Sequence, residues 1–122
     1  MAIFITAYLG KTSVESITFR DADGVAVTLN ASDVVQIKIG RAGSEPVLEI
    51  ASNVPASGGS TVTSANPATL TLDEDDLTPD YSDHDSIRPG VYDIEALVVD
   101  SGDANRVKHA ESGVFSLINT QT

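Results

Sequence analysis

Short runs of alternating apolar and polar residues fill this chain, separated by breaks rich in Gly, Asp, Ser and Pro. The longest run, residues 88–99, is led in by Pro89 and Gly90. Tyr92, Ile94, Ala96 and Val98 fall on one face, while Asp93 and Glu95 mark the other as solvent-facing. Leu97 and Val99 make its far end apolar on both faces, as expected where a strand passes beneath a second layer. Val35, Ile37 and Ile39 alternate with Gln36 and Lys38 in the same way, and Phe115 and Leu117 share a face in the last run. These nine inward positions, Val35, Ile37, Ile39, Tyr92, Ile94, Ala96, Val98, Phe115 and Leu117, are the predicted core.

Weaker alternation predicts further strands over 1–10, 15–19, 25–29, 47–50, 68–72 and 106–109, with a marginal edge strand at 61–63. Residues 15–29 form a hairpin signal, two alternating runs joined by the acidic turn Asp21-Ala22-Asp23-Gly24, with Gly24 supplying positive φ. Residues 51–65 are poor in large apolar side chains and rich in Ser, Gly and Thr, which predicts a mobile loop. Residues 73–88 predict a second long loop, with one helical turn capped by Asp73, ending near Leu77 and stopped by Pro79. No amphipathic helix is visible. About nine short strands with turn signals between them predict an all-β fold, an antiparallel β-sandwich over residues 1–122 as a single domain.

The first ten residues are apolar enough to raise the question of a signal peptide. They lack a basic start, the first cation is Lys11, and the apolar run is short. They are expected to be a first strand or an arm lying on a neighbouring subunit. Nowhere does the chain approach the roughly 20 apolar residues of a membrane helix.

Charge narrows the partners. The chain has 18 Asp plus Glu against 7 Lys plus Arg, a formal net charge of -11. That surface repels phosphate backbones and anionic lipid, which disfavours nucleic acid and membrane as partners. There is no cysteine, so disulfides and thiolate metal sites are excluded. No serine sits in a nucleophile elbow, and the acids fall on loops or outer strand faces rather than across a rigid cleft. With three Phe, three Tyr and no Trp, stacking platforms for sugars are scarce. The expectation is a protein that is not an enzyme.

One site hypothesis remains. Residues 73–85 hold seven acids and no Lys or Arg. Hard cations want several flexible oxygen ligands, so any calcium would be held by some of Asp73, Asp75, Asp76, Asp80, Asp83 and Asp85. His84, flanked by Asp83 and Asp85, has the surroundings of a metal ligand, but as the one histidine in a flexible stretch it is expected to be a solvated loop residue. A purely solvated acidic loop is the competing expectation.

The Gly90-x-Tyr92-x-Ile94 spacing resembles the tyrosine corner of immunoglobulin-like sandwiches, with Ile94 where antibody domains place a cysteine. The opening hairpin 19–29, the "V-x-I-x-I" strand of Val35, Ile37 and Ile39, the Pro89-Gly90-Val91-Tyr92-Asp93-Ile94-Glu95 strand and the closing Gly113-Val114-Phe115-Ser116-Leu117 together resemble the immunoglobulin-like virion proteins of tailed bacteriophages, both capsid decoration proteins and upper-baseplate adaptor domains. The resemblance spans about residues 12–118, and the chain lacks the long helical extension of the adaptors. It implies a non-enzymatic structural protein bound to the major capsid protein or another virion protein. A homo-oligomer or a lattice-bound state on the outer surface of the head follows from the same resemblance. The apolar side chains Ile3, Phe4, Ile5, Tyr8 and Leu9 would then make the partner contact. Two alternatives stay open: a tail, baseplate or host-surface-binding sandwich, and a calcium-dependent bacterial adhesion or accessory module.

Overall fold

The computed structural model describes residues 2–41, 43–54, 56–100 and 102–119, the side chains of Ala2, Ala104 and Asn105 excepted. Eight strands lie among them: β1 (Ala2–Tyr8), β2 (Ser13–Ile17), β3 (Asp33–Gly40), β4 (Leu48–Ala51), β5 (Thr61–Val62), β6 (Ala68–Leu72), β7 (Gly90–Asp100) and β8 (Asp103–Ile118). They form a five-stranded sheet in the order β1-β8-β7-β3-β4 and a three-stranded sheet in the order β2-β6-β5. No helix occurs among the described residues, hence none long and apolar enough to cross a membrane. The fold is a β-sandwich, as the alternation predicts.

All nine predicted core residues are buried. Ile5 and Ala7 of β1, Ile17 and Phe19 from the β2 side, Leu70 and Leu72 of β6, and Leu77 and Ile87 of the acidic loop complete one cluster between the sheets. Leu97 and Val99 join Val34 in a second, smaller cluster on the outer face of the large sheet, so the far end of β7 is indeed buried on both sides. The tyrosine corner also forms. The Arg88 N–H donates to the Tyr92 hydroxyl (2.9 Å), which donates to the Arg88 carbonyl (2.7 Å). The Arg41 guanidinium lies 4.6 Å from the centre of the Tyr92 ring, and Gly90, at φ 149°, makes the bend between corner and strand.

Four expectations need correction. First, residues 25–29 form no strand; the turn is built, but pairing stops at the Arg20–Ala26 bridge. The reason is Asn66. Its side chain accepts from the Phe19 N–H (2.9 Å) and donates to the Phe19 and Val27 carbonyls (2.9 and 2.7 Å), so a side-chain amide stands where a ladder would run. Second, residues 106–109 and 112–118 belong to one strand, because Ala110 and Glu111 stay paired with Leu97 and Ala96. Third, the first segment takes the strand alternative of the two expected, but not the antiparallel pairing. It pairs with β8 in parallel, which makes one pairing of an otherwise antiparallel sandwich parallel. Gly113 permits this approach, since a Cβ there would land on the Ile3 backbone. Fourth, the Ser- and Gly-rich stretch is anchored, as described below.

An ion pair far apart in sequence ties β3 to β8. Asp33 is buried, accepts from Lys108 Nζ at 2.7 Å, and also accepts from the Asn30 N–H at 2.8 Å. These hydrogen bonds, Lys108 first, hold the Asp33 carboxyl below its ordinary range against the opposing effect of burial. Lys108 is the extra residue of the β8 bulge, since the adjacent Val98 and Val99 of β7 pair with His109 and Val107.

Two measurements check this account. Tyr92→Phe leaves the Arg88 peptide groups without the hydroxyl and should cost about 1–3 kcal/mol, read as a lower denaturant midpoint at unchanged slope. For Lys108→Met, the penalty should exceed the ~0–1 kcal/mol of an exposed pair and fall short of the ~3–5 kcal/mol of a fully buried one. Because Asp33 is held low in the native state, the unfolded chain takes up its proton first as pH falls. The wild-type advantage over Lys108→Met should therefore be complete near neutrality and shrink as pH falls through about 4. A constant difference across that range would remove the pair from the account.

Candidate functional site

The acidic loop begins where β6 ends. Its first turn closes through Asp76 N–H to the Asp73 carbonyl (3.1 Å) and Leu77 N–H to the Glu74 carbonyl (3.2 Å), with the Asp73 carboxylate accepting from the Asp75 N–H (3.3 Å). That is the predicted Asp73-capped turn. Leu77 is fully buried and pins it to the core. Ser60, also fully buried, donates its N–H to the Asp76 carboxylate (3.1 Å) and accepts from the Asp73 N–H (2.8 Å). Gly58 leaves room for the Asp76 carboxylate, which a Cβ would strike. The Ser- and Gly-rich stretch is therefore held against the acidic loop, and β5 forms beside β6.

The later acids cap turns of their own. Asp80 accepts from the Ser82 hydroxyl and N–H, which keeps its carboxyl below the ordinary value. Asp83 accepts from the Asp85 N–H at 2.9 Å. Of the six acids expected to share a cation, Asp83 and Asp85 come together, with His84 between them in sequence. One ligand atom from each of the three lies within 4.8 Å of the others, and all three residues are exposed. His84 Nε2 stands 3.5 Å from an Asp85 carboxylate oxygen. Asp73 and Asp76 are spent on the turn and on Ser60. Sequence reading missed this division, since side-chain capping follows from loop path rather than from charge density.

The second region is β1. Ile5 and Ala7 are buried, and Ile3 and Leu9 pack against the core. Of the five apolar residues expected to meet a partner, Phe4 (77% exposed) and Tyr8 (47%) are the two that face out. Register extends their surface across the sheet. Phe4 stands beside Val114, Thr6 beside Ser116, Tyr8 beside Ile118, and Ser116 beside Val91. Val91 and Ile118 are exposed as well. The outer face of β1, β8 and β7 thus carries the apolar pairs Phe4–Val114 and Tyr8–Ile118 on either side of Thr6–Ser116, with Val91 beside Ser116 and with Asp93 and Glu95 following on β7. Val91 and Ile118 were missed in sequence because each belongs to a different strand, and only the pairing register brings them beside β1.

At the tyrosine corner, Arg41, Glu45, Val47, His84, Asp85 and Arg88 surround an open cleft of about 520 Å3. Cations and anions balance there, and Arg88 stacks 5.0 Å from the centre of the Tyr81 ring.

No protein-family model matches the chain, and no curated protein matches it. Among solved structures, that of CopC from Methylosinus trichosporium OB3b is similar at 17% identity and a TM-score of 0.36, over 88% of this chain and 98% of that one.

A calcium titration followed by thermal melting tests the loop, with magnesium at matched ionic strength beside it. Dispersed carboxylates respond to screening alone, so equal shifts from the two cations are expected. A calcium-specific rise that Asp83→Asn abolishes would establish a site there.

Proposed function

We propose that this protein is a non-enzymatic structural protein of a tailed-bacteriophage virion, a decoration protein that binds the major capsid protein on the outer surface of the head. The observation that carries the reading is the apolar outer face of β1, β8 and β7. Phe4, Tyr8, Val91, Val114 and Ile118 gather there around Thr6 and Ser116, and apolar side chains grouped on one surface with polar residues at the rim are characteristic of a protein-binding face. It lies on the face of a five-stranded sheet, so its side chains are pre-positioned by the ladder and lose little freedom on binding.

Three further features support the assignment. The resemblance of the β3, β7 and β8 sequences to virion immunoglobulin-like domains supplies the class. A net charge of -11 suits a position outside the shell, away from packaged nucleic acid. Asp93 and Glu95 border the apolar face and would favour basic residues at the rim of its partner.

Incubating the purified protein with mature heads that lack it provides the test. Saturable binding at a fixed number of copies per head is expected, with Val91→Asp weakening it by about tenfold or more, because that change puts a charge into the apolar face. Val91 is exposed, so the variant should still fold. Binding to tails and not to heads would move the protein to the baseplate, and binding to neither would overturn the proposal.

A further inference from the structure

Every open sheet has edges, and this sandwich has four: β1 and β4 in the large sheet, β2 and β5 in the small one. Three are protected in the ways natural edges usually are. β5 is two residues long, β2 carries Glu15, and β4 is four residues long, carries Glu49 and turns back on itself through the Ala51–Val54 bridge. β1 differs on each count. It has seven residues, no charge, no proline and no bulge in its pairing with β8. An edge of that kind is a template for another strand.

Its backbone is turned the right way. The Leu9 N–H donates to the Ile118 carbonyl across the β1–β8 ladder (3.0 Å). Successive residues of a strand direct their backbone groups to opposite sides, so Ile3, Ile5 and Ala7 share the side of Leu9, and Phe4, Thr6 and Tyr8 direct theirs to the open edge. The same three residues face outward, Phe4 and Tyr8 with Thr6 between them. A strand added here would gain main-chain hydrogen bonds and aromatic contacts together.

We infer that the strand added to this edge is β1 of a second copy, paired antiparallel about a two-fold axis at Thr6. This rests on the proposed reading of the outer face as a binding face; pairing along the β1 edge joins the outer faces of two copies and leaves them open to the capsid. With Thr6 opposite its own counterpart, Phe4 of each copy stands opposite Tyr8 of the other. The interface then contains two aromatic cross-strand pairs, flanked by Val114 and Ile118. Charge fits as well. Lys11 lies just beyond the Tyr8 end of β1, and Glu15 lines a groove of about 140 Å3 beside Ile3, Phe4 and Ile5 at the other half. Antiparallel pairing brings the Lys11 end of each copy to the Glu15 end of the other. Two chains of net charge -11 thus meet along an uncharged strand, with opposite charges at its ends. The two large sheets become one continuous sheet.

Sedimentation velocity of the full chain, free of capsids, decides the matter. The expected species has the mass of two chains. Thr6→Lys sets two ammonium groups on the axis and should yield a monomer that melts cooperatively with an unchanged circular dichroism spectrum. Lys11→Glu and Glu15→Lys should each weaken dimerisation by up to about tenfold, and the double variant should restore it, as two exposed ion pairs require. A wild-type monomer at concentrations that saturate heads overturns the inference, as does a dimer indifferent to all of these changes. A monomer that still binds heads would overturn the dimer and leave the decoration role standing. A dimer that binds no virion component would do the reverse.

Discussion

The Tyr92 hydroxyl fastens the start of β7 to the Arg88 peptide on both its donor and acceptor sides. Much of the sandwich depends on that fastening. β7 lies between β8 and β3 in the large sheet, so its position fixes the register of both neighbours. Because side chains alternate with period two, a slip of one residue would turn Ile94, Ala96 and Val98 out of the core. The corner opposes that slip at the point where the acidic loop ends. Arg41 stacked on the Tyr92 ring adds a second hold from the loop after β3, and Gly90 allows the bend between corner and strand.

How much could be read from the sequence follows from which forces act locally. Burial of alternating residues is a local pattern, so Val35 to Ile39, Tyr92 to Val98 and Phe115 with Leu117 were legible. The Asp73 cap was legible too, since its acceptor and donors lie within a few residues of each other. Long-range polar contacts were not. Asn66 reads as an ordinary residue before a proline, yet its amide reaches Phe19 and Val27 and takes the place of a strand. Nothing near Asp33 announces Lys108, 75 residues away. The buried Asp33 carboxylate becomes intelligible once its cation is in place.

The candidate surface was half legible for the same reason. An apolar first segment predicts contact, and alternation sorts its residues once the strand is known: Ile5 and Ala7 inward, Phe4 and Tyr8 outward. The neighbours that extend the surface come from β7 and β8, and their register is a property of the sheet. The acidic loop shows the converse. Charge density suggests one shared ligand set, whereas the backbone path divides the acids between separate turns, so that Asp83 and Asp85 alone of the six gather with His84 among the described residues.

Parallel pairing of β1 with β8 has a mechanical meaning. The two strands point the same way along the edge of the large sheet, so the Ala2 end of one and the Ile118 end of the other lie at opposite ends of their shared ladder. Tension between those two points runs along the strands and loads the backbone hydrogen bonds in shear. All of them must then yield together, whereas a hairpin pulled from its open end gives way one bond at a time. Pulled between these two points, the sandwich would take the load along its edge ladder rather than across it.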